Sequence, residues 1–431
     1  MDDFCVGSSI AETLTRYQRQ VSKSMCCKNV TRGGKGTSSI WSIGNIGPIG
    51  LLGPQLNRNP PAVIDWGLPL VHRAMLHFEW HEYVLAALAF AICVLIVLLR
   101  SRFPRLSGRA YNLQAVQSMH TRRTPHVGGI AIFGTLGLSV IFAPASISGP
   151  YANFVLATSL LFVVGLAENL GIHMSPRRRM LAAMLASLLA ISLLGVWLPR
   201  AGIPGLDLLV NHWAIGVPLT LLVTAGIANA FNLIDGVNGL AALTAIAAAM
   251  ALSQIAELAG YTTMVHLAMM VAAGIFGFFL VNYPYGLIFL GDAGAYTIGF
   301  VLSWFGISVL LHSPDVSPWA ILLTMYWPVA DTSLAIYRRF RKNADVSAPD
   351  RLHVHQMVMR ALEICILGRN RRHIANPLTT LVLSPFVIAP PIVGVLLWNQ
   401  NQNTFLAVVV FGVLFFASYA AAPRLTRRLR R

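Results

Sequence analysis

The chain has 431 residues, of which 56% are hydrophobic and only 11% charged, with a mean hydropathy of +0.64. An ordinary soluble domain carries roughly 25% charged residues, so composition excludes that class and points to a membrane protein. The 32 Lys and Arg against 16 Asp and Glu give a net charge of +16, which in a membrane chain reads first as topology; no nucleic-acid partner is expected. The five cysteines include no C-x-x-C pair, so neither a disulfide scaffold nor a zinc site is indicated.

Residues 1–82 open the chain with eight Lys or Arg, no apolar export-signal core, and a stretch broken by Gly and Pro. They read as an N-terminal extension, either disordered or arising from a mis-assigned start, with Met75 as the alternative start. A bilayer core of about 30 Å takes about 20 apolar residues per helical crossing. From residue 83 such windows recur near 83–99, 127–146, 152–167, 180–199, 213–231, 239–258, 262–282, 294–312, 319–337, 378–398 and 403–421. They lack the polar alternation of barrel strands. The expected fold is therefore an all-α polytopic integral membrane protein with about eleven transmembrane helices, and the last two windows are expected at its periphery. The transmembrane domain spans 83–421, with a cytoplasmic loop at 338–377 and a basic tail at 422–431.

The alternate connections differ sharply in charge. Six arginines follow the first window, Arg177, Arg178 and Arg179 follow the third, nine Lys or Arg lie in 338–377, and five lie in the tail, whereas the opposite set holds only Arg200. Positive charge is retained in the cytoplasm, so the C-terminus is expected there and the N-terminus outside. Most of these residues read as orientation and lipid contact, leaving a few for phosphate binding.

Acids are scarce, which makes their positions informative. Glu168, Asp235, Asp292 and Asp331 fall at or just inside the cytoplasmic ends of different windows. An ionisable group at membrane depth costs at least about 2.5–3.5 kcal/mol, so such groups usually face a polar cavity. Several together suit a divalent cation held by oxygen ligands, with basic groups nearby for phosphate. At 229–240, NAFNLIDGVNGL packs Asn229, Asn232, Asp235 and Asn238 into one turn, which reads either as a functional cluster or as a capped helix connection. Asp292 sits between Gly291 and Gly294 before an apolar helix, either as an N-cap or as a metal ligand beside a phosphate cradle. Arg351, His353 and His355, in PDRLHVH at 349–355, read as phosphate-binding or proton-transfer groups or as an ordinary polar loop.

Together, H-x-x-x-T-P-x-x-G-G at 120–129, N-A-x-N-x-x-D-G-x-x-G-L at 229–240, F-x-G-D-x-G at 289–294, P-x-x-D at 328–331 and P-D-R-x-H-x-H at 349–355 resemble the polyprenyl-phosphate N-acetylhexosamine-1-phosphate transferases, glycosyltransferase family 4. The resemblance covers roughly 83–421 and is closer to the N-acetylglucosamine-1-phosphate branch than to phospho-N-acetylmuramoyl-pentapeptide transferase, which is the alternative. It implies transfer of a sugar-1-phosphate from a UDP-N-acetylhexosamine to undecaprenyl phosphate, with release of UMP, at the cytoplasmic face of a bacterial inner membrane, starting a cell-surface glycan such as O-antigen. It also implies Mg²⁺, with Mn²⁺ as the substitute. On that basis Asp292 is expected as a metal ligand and Asp235 as a metal-side carboxylate, with Glu168 as the base or orienting charge. His120, Asn229, Asn232, Asn238, Arg351, His353 and His355 are expected to contact substrate.

The chain departs from the family pattern in several places. Glu168 and Asn169 stand where members usually carry adjacent aspartates. Asn238 replaces a frequent Asp, Ala295 a usual Ser, and Gln117 and His126 a frequent Arg. A catalytically impaired membrane binding protein and a transporter are the readings from other classes. A transporter would place its charges near midplane on broken helices, unlike these acids at one face.

Overall fold

The computed structural model describes residues 79–102, 124–172, 174–341, 352–368 and 371–429. The expected extension up to residue 78, His120, and Arg351 with the rest of 342–351 lie outside the described residues. Among the described residues there are helices and no strands.

The helices in chain order are α1 (Trp80–Leu99), α2 (Gly129–Phe142), α3 (Ser148–Asn169), α4 (Pro176–Leu194), the short α5 (Leu206–Val210), α6 (Trp213–Ile234), α7 (Leu240–Leu258), α8 (Thr262–Asn282) and α9 (Gly291–His312). They continue with α10 (Pro318–Thr324), α11 (Tyr326–Arg341), α12 (Val354–Leu362), α13 (Arg372–Leu396) and α14 (Asn401–Leu429). Helices cover most of each of the eleven apolar windows, and among the described residues eight helices are long and apolar enough to cross a membrane. The remaining three windows correspond to α2, with only 14 residues; α4, which opens on three arginines; and the broken pair α10 and α11.

That break corrects the expectation of one continuous helix over 319–337. Met325 leaves helical geometry (φ −115°, ψ 24°). Pro328 has no N–H to offer the carbonyl four residues back, and its ring crowds that carbonyl, so the helix restarts at Tyr326.

α9 is the central element, with 89% of its apolar window buried, and it packs against α2, α3, α6 and α7. Small residues allow the close approach: a Cβ on Gly165 of α3 would stand 2.6 Å from the Ala293 Cα of α9. α14 is the peripheral helix, with 11% of its window buried. α13 is less peripheral than expected, because it packs on α7 and α10 and carries Asn376 and Thr380 against the turn that precedes α7.

Candidate active site

Two chain segments are locked together by backbone bonds before any side chain is considered. The Phe289 N–H donates to the Pro125 carbonyl at 2.8 Å, and the Gly128 and Gly129 N–H groups donate to the Phe289 and Leu290 carbonyls at 2.9 Å. The T-P-x-x-G-G segment therefore lies directly on the F-x-G-D segment. Gly291, with φ +70°, turns the chain into α9, and a side chain there would run into the His126 carbonyl.

Asp292, in the first turn of α9, is where the helix ends converge. Its Oδ1 accepts a 2.6 Å bond from the Asn232 amide of α6, and its Oδ2 a 3.1 Å bond from the Asn169 amide of α3. Asn169 also accepts from the Ala293 N–H at 3.1 Å, so one amide braces both the carboxylate and the backbone beside it. Arg179 of α4 places Nη1 3.2 Å from Glu168 Oε1 and 3.8 Å from Asp292 Oδ1. The other Glu168 oxygen, Oε2, is buried and has no hydrogen-bond partner.

Asp235 follows α6 and accepts the Gly291 N–H at 3.1 Å, tying the N-A-x-N-x-x-D segment to the start of α9. Burial pushes its carboxyl up to about 7, with the Gly291 N–H opposing that rise and the Asp292 charge adding to it. His126 packs on Phe289 with ring centroids 5.0 Å apart, and burial lowers its pKa against the pull of Asp292. Asn229 is partly buried, one helical turn before Asn232 on α6.

The two histidines divide between different tasks. His353 is turned inward: its Nδ1 lies 2.7 Å from Asp331 Oδ2, and Asp331 Oδ1 accepts the Val354 N–H at 3.1 Å. Asp331 thus caps α12 and fixes the loop through His353 Nδ1. The His355 ring stacks on His353 with centroids 5.7 Å apart and covers Gly236, where a Cβ would meet its Nε2 at 2.8 Å. Both His355 nitrogens are buried without partners, and burial pushes the imidazole down to about 4. That favours the neutral imidazole near pH 7.

Asn238 is bound to neighbouring segments. It is 5% exposed; its N–H donates to Asn376 Oδ1 at 2.8 Å, its amide to the Pro284 carbonyl at 2.8 Å, and its carbonyl accepts from Thr380. It knits the turn to α13 and the 283–286 connection.

The structure therefore gathers Glu168, Asn232, Asp235 and Asp292 into one cluster and sets His355 beside it over Gly236. Sequence reasoning missed Arg179, which was read with Arg177 and Arg178 as a topology charge although only Arg179 turns inward. It also missed the capping role of Asp331 and the buried Tyr296 hydroxyl, one turn past Asp292, which is set against Arg179. The oxygen donors of the cluster are three carboxylates, with one oxygen of Glu168 buried and unpartnered.

Residues 151–310, which run from α3 to α9, match the model of glycosyl transferase family 4. The chain is 27% identical over 277 residues to a probable undecaprenyl-phosphate N-acetylglucosaminyl 1-phosphate transferase of Bacillus subtilis, covering 63% of this chain and 76% of that protein. It is 26% identical over 260 residues to the undecaprenyl-phosphate alpha-N-acetylglucosaminyl 1-phosphate transferase of Escherichia coli K12, and 28% identical over 256 residues to that of Salmonella typhi, in each case covering 56% of this chain and 67% of the relative. Over residues 151–310 the chain is similar to glycosyl transferase family 4, and over longer stretches to undecaprenyl-phosphate N-acetylglucosaminyl 1-phosphate transferases.

Proposed function

We propose that the protein transfers N-acetylhexosamine-1-phosphate from a UDP-sugar, with UDP-N-acetylglucosamine as the leading donor, to undecaprenyl phosphate. The named relatives carry that acceptor and sugar in their names, which supports the reading. A phosphate oxygen of the lipid attacks the β-phosphorus, the bond from that phosphorus to the bridging oxygen breaks, and UMP leaves with the oxygen. A polyprenyl-diphospho-sugar remains in the membrane and starts a cell-surface glycan. The observation that carries the proposal is Asp292, held from two sides by Asn169 and Asn232 where three family segments meet.

Phosphoryl transfer depends chiefly on positioning and on electrostatic stabilisation, so most residues here have holding roles. Members of the family depend in general on a divalent metal. Mg²⁺, or Mn²⁺ in its place, would be held by Asp292 and Asp235 and would neutralise charge on the diphosphate. Glu168 offers the oxygen that Arg179 leaves free to orient or deprotonate the attacking lipid phosphate. Arg179 holds Glu168 and offsets the negative charge around Asp292. Asn229 and Asn232 line the α6 side of the nucleotide, and neutral His355 donates or accepts a hydrogen bond to the diphosphate or sugar. His120 and Arg351 complete the phosphate contacts, His353 positions the loop, and Asn238 supports the turn under the nucleotide.

The charge asymmetry supports eleven crossings with the C-terminus and the site at the cytoplasmic face of a bacterial inner membrane, and 83–421 as the catalytic domain. The test is conversion of radiolabelled UDP-N-acetylglucosamine by purified membranes into an organic-soluble lipid, with UMP released and activity lost on chelation and regained with Mg²⁺. Failure across a panel of UDP-N-acetylhexosamines would refute the proposal.

A further inference from the structure

At the opposite end of the bundle, Glu79, just before α1, meets His81 of α1 and His266 of α8. One carboxylate oxygen, Oε2, lies 3.4 Å from His81 Nδ1, and the other, Oε1, lies 3.5 Å from His266 Nδ1. The three residues each offer a ligand atom within 4.8 Å of the others. An ordinary N–H···O hydrogen bond spans about 2.7–3.2 Å, so both separations are long for direct bonds. Ligand atoms about 2.0–2.1 Å from a tetrahedral zinc ion stand about 3.4 Å apart, close to each histidine–carboxylate separation here, though these run to different Glu79 oxygens.

The cluster is also held in place. His81 is 8% exposed and stacks on Phe142 with centroids 5.7 Å apart, and its Nε2 is buried without a partner. The Glu79 backbone N–H is fixed by Glu82 Oε2 at 3.0 Å. The side chains of His266 and Glu79 are 40% and 48% exposed, leaving an approach for an ion and room to close around it. Asn282, whose side chain fixes the connection before α9, lies sixteen residues beyond His266 on α8, about 24 Å away at helical rise, so this cluster is separate from the Asp292 site.

We infer that Glu79, His81 and His266 form a binding site for a borderline divalent metal of the Zn²⁺ class, with three protein ligands and an open fourth position, which ties the start of α1 to α8. Nitrogen and carboxylate ligands in this number suit Zn²⁺ rather than the all-oxygen chemistry of Mg²⁺. The full-length protein in lipid nanodiscs, stripped with chelator, is dialysed against Zn²⁺ beside His266→Ala and Glu79→Gln. Wild type is expected to hold one equivalent more than either variant at low micromolar Zn²⁺, with affinity at least tenfold tighter at that site. Its thermal midpoint should rise with Zn²⁺ while those of the variants stay flat. His266 and Glu79 are partly exposed, so both variants are expected to fold. Equal zinc content in all three proteins, or a midpoint difference that does not respond to Zn²⁺, would overturn the site and leave a carboxylate between two histidines with no ion.

Discussion

Asp292→Asn is the sharpest test of the cytoplasmic cluster because it keeps the side-chain shape and removes one charge. In the wild type, both carboxylate oxygens accept amide bonds, at 2.6 Å from Asn232 and 3.1 Å from Asn169. An asparagine can still accept one of them, and the other neighbour must turn its amide over to present oxygen. A hydrogen bond to a charged group contributes about 1.5–3 kcal/mol and a neutral one about 0.5–1.5, so the two bonds together lose roughly 1–4 kcal/mol. Removing the charge also relieves repulsion from Asp235 and Glu168, which offsets part of that loss. The fold should therefore survive with a thermal midpoint only a few degrees lower. Turnover should fall much further, by about 10² to 10³, the usual cost of removing one group that stabilises developing charge, or about 3–4 kcal/mol. The assay is lipid-product formation at matched protein level and saturating Mg²⁺, run beside a melting curve in detergent. Near-normal turnover in a folded Asp292→Asn protein would refute the placing of a metal-bound diphosphate at this carboxylate.

Three further outcomes follow from the same geometry. Glu168→Gln should abolish most activity, while Asn169→Ala, which loses a bond to Asp292 and strands the Ala293 N–H, should slow turnover by roughly 10- to 100-fold, for about 1.5–3 kcal/mol; full activity of Glu168→Gln would eliminate its role as base or orienting charge. Arg179→Ala should reduce turnover at least tenfold while Arg177→Ala and Arg178→Ala stay within about twofold, since only Arg179 reaches the acids; equal effects in the three variants would make Arg179 a topology charge. Asp331→Asn should weaken the fully buried contact with His353 by about 1.5–3 kcal/mol, read as a lowered midpoint together with a raised KM for the UDP-sugar, and an unchanged protein would remove its loop-holding role.

The residues explain why some of this was legible in the sequence and some was not. Helical class and the approximate windows follow from apolar runs long enough to span a bilayer, and Asp235 and Asp292 stand out because an acid beside such a run is costly. The break before α11 escaped notice because a hydropathy average runs over Met325 and Pro328 without registering the missing N–H. Arg179 escaped because three arginines in a row differ only in helical phase. That phase is set by the start of α4, where Ser175 accepts the Arg178 N–H and Pro176 fixes the first turn. The place of Asn238 depends on Asn376, 138 residues later, and that of His353 on Asp331, 22 residues earlier. No local pattern encodes those pairings.

The substitution of Asn169 for an acid changes the charge balance of the cluster more than its shape. Glu168, Asp235 and Asp292 bring three carboxylates together, and Arg179 brings one guanidinium, leaving two negative charges when all are ionised. One divalent cation cancels that remainder. A second aspartate at position 169 would add a third negative charge and would remove the Asn169 amide that donates to Asp292 Oδ2, which an ionised carboxylate cannot replace. At about 3.1 Å and an effective dielectric of about 20, two such charges repel by roughly 5 kcal/mol before the nearby Arg179 screens them. An amide at position 169 therefore orients Asp292 by a hydrogen bond without a second cation beside it. Arg179 can then hold Glu168 instead of being drawn wholly to an acidic pair. On this reasoning the departure from the family pattern is compatible with turnover, and the positioning of Asp292 passes from charge pairing to two amide donors.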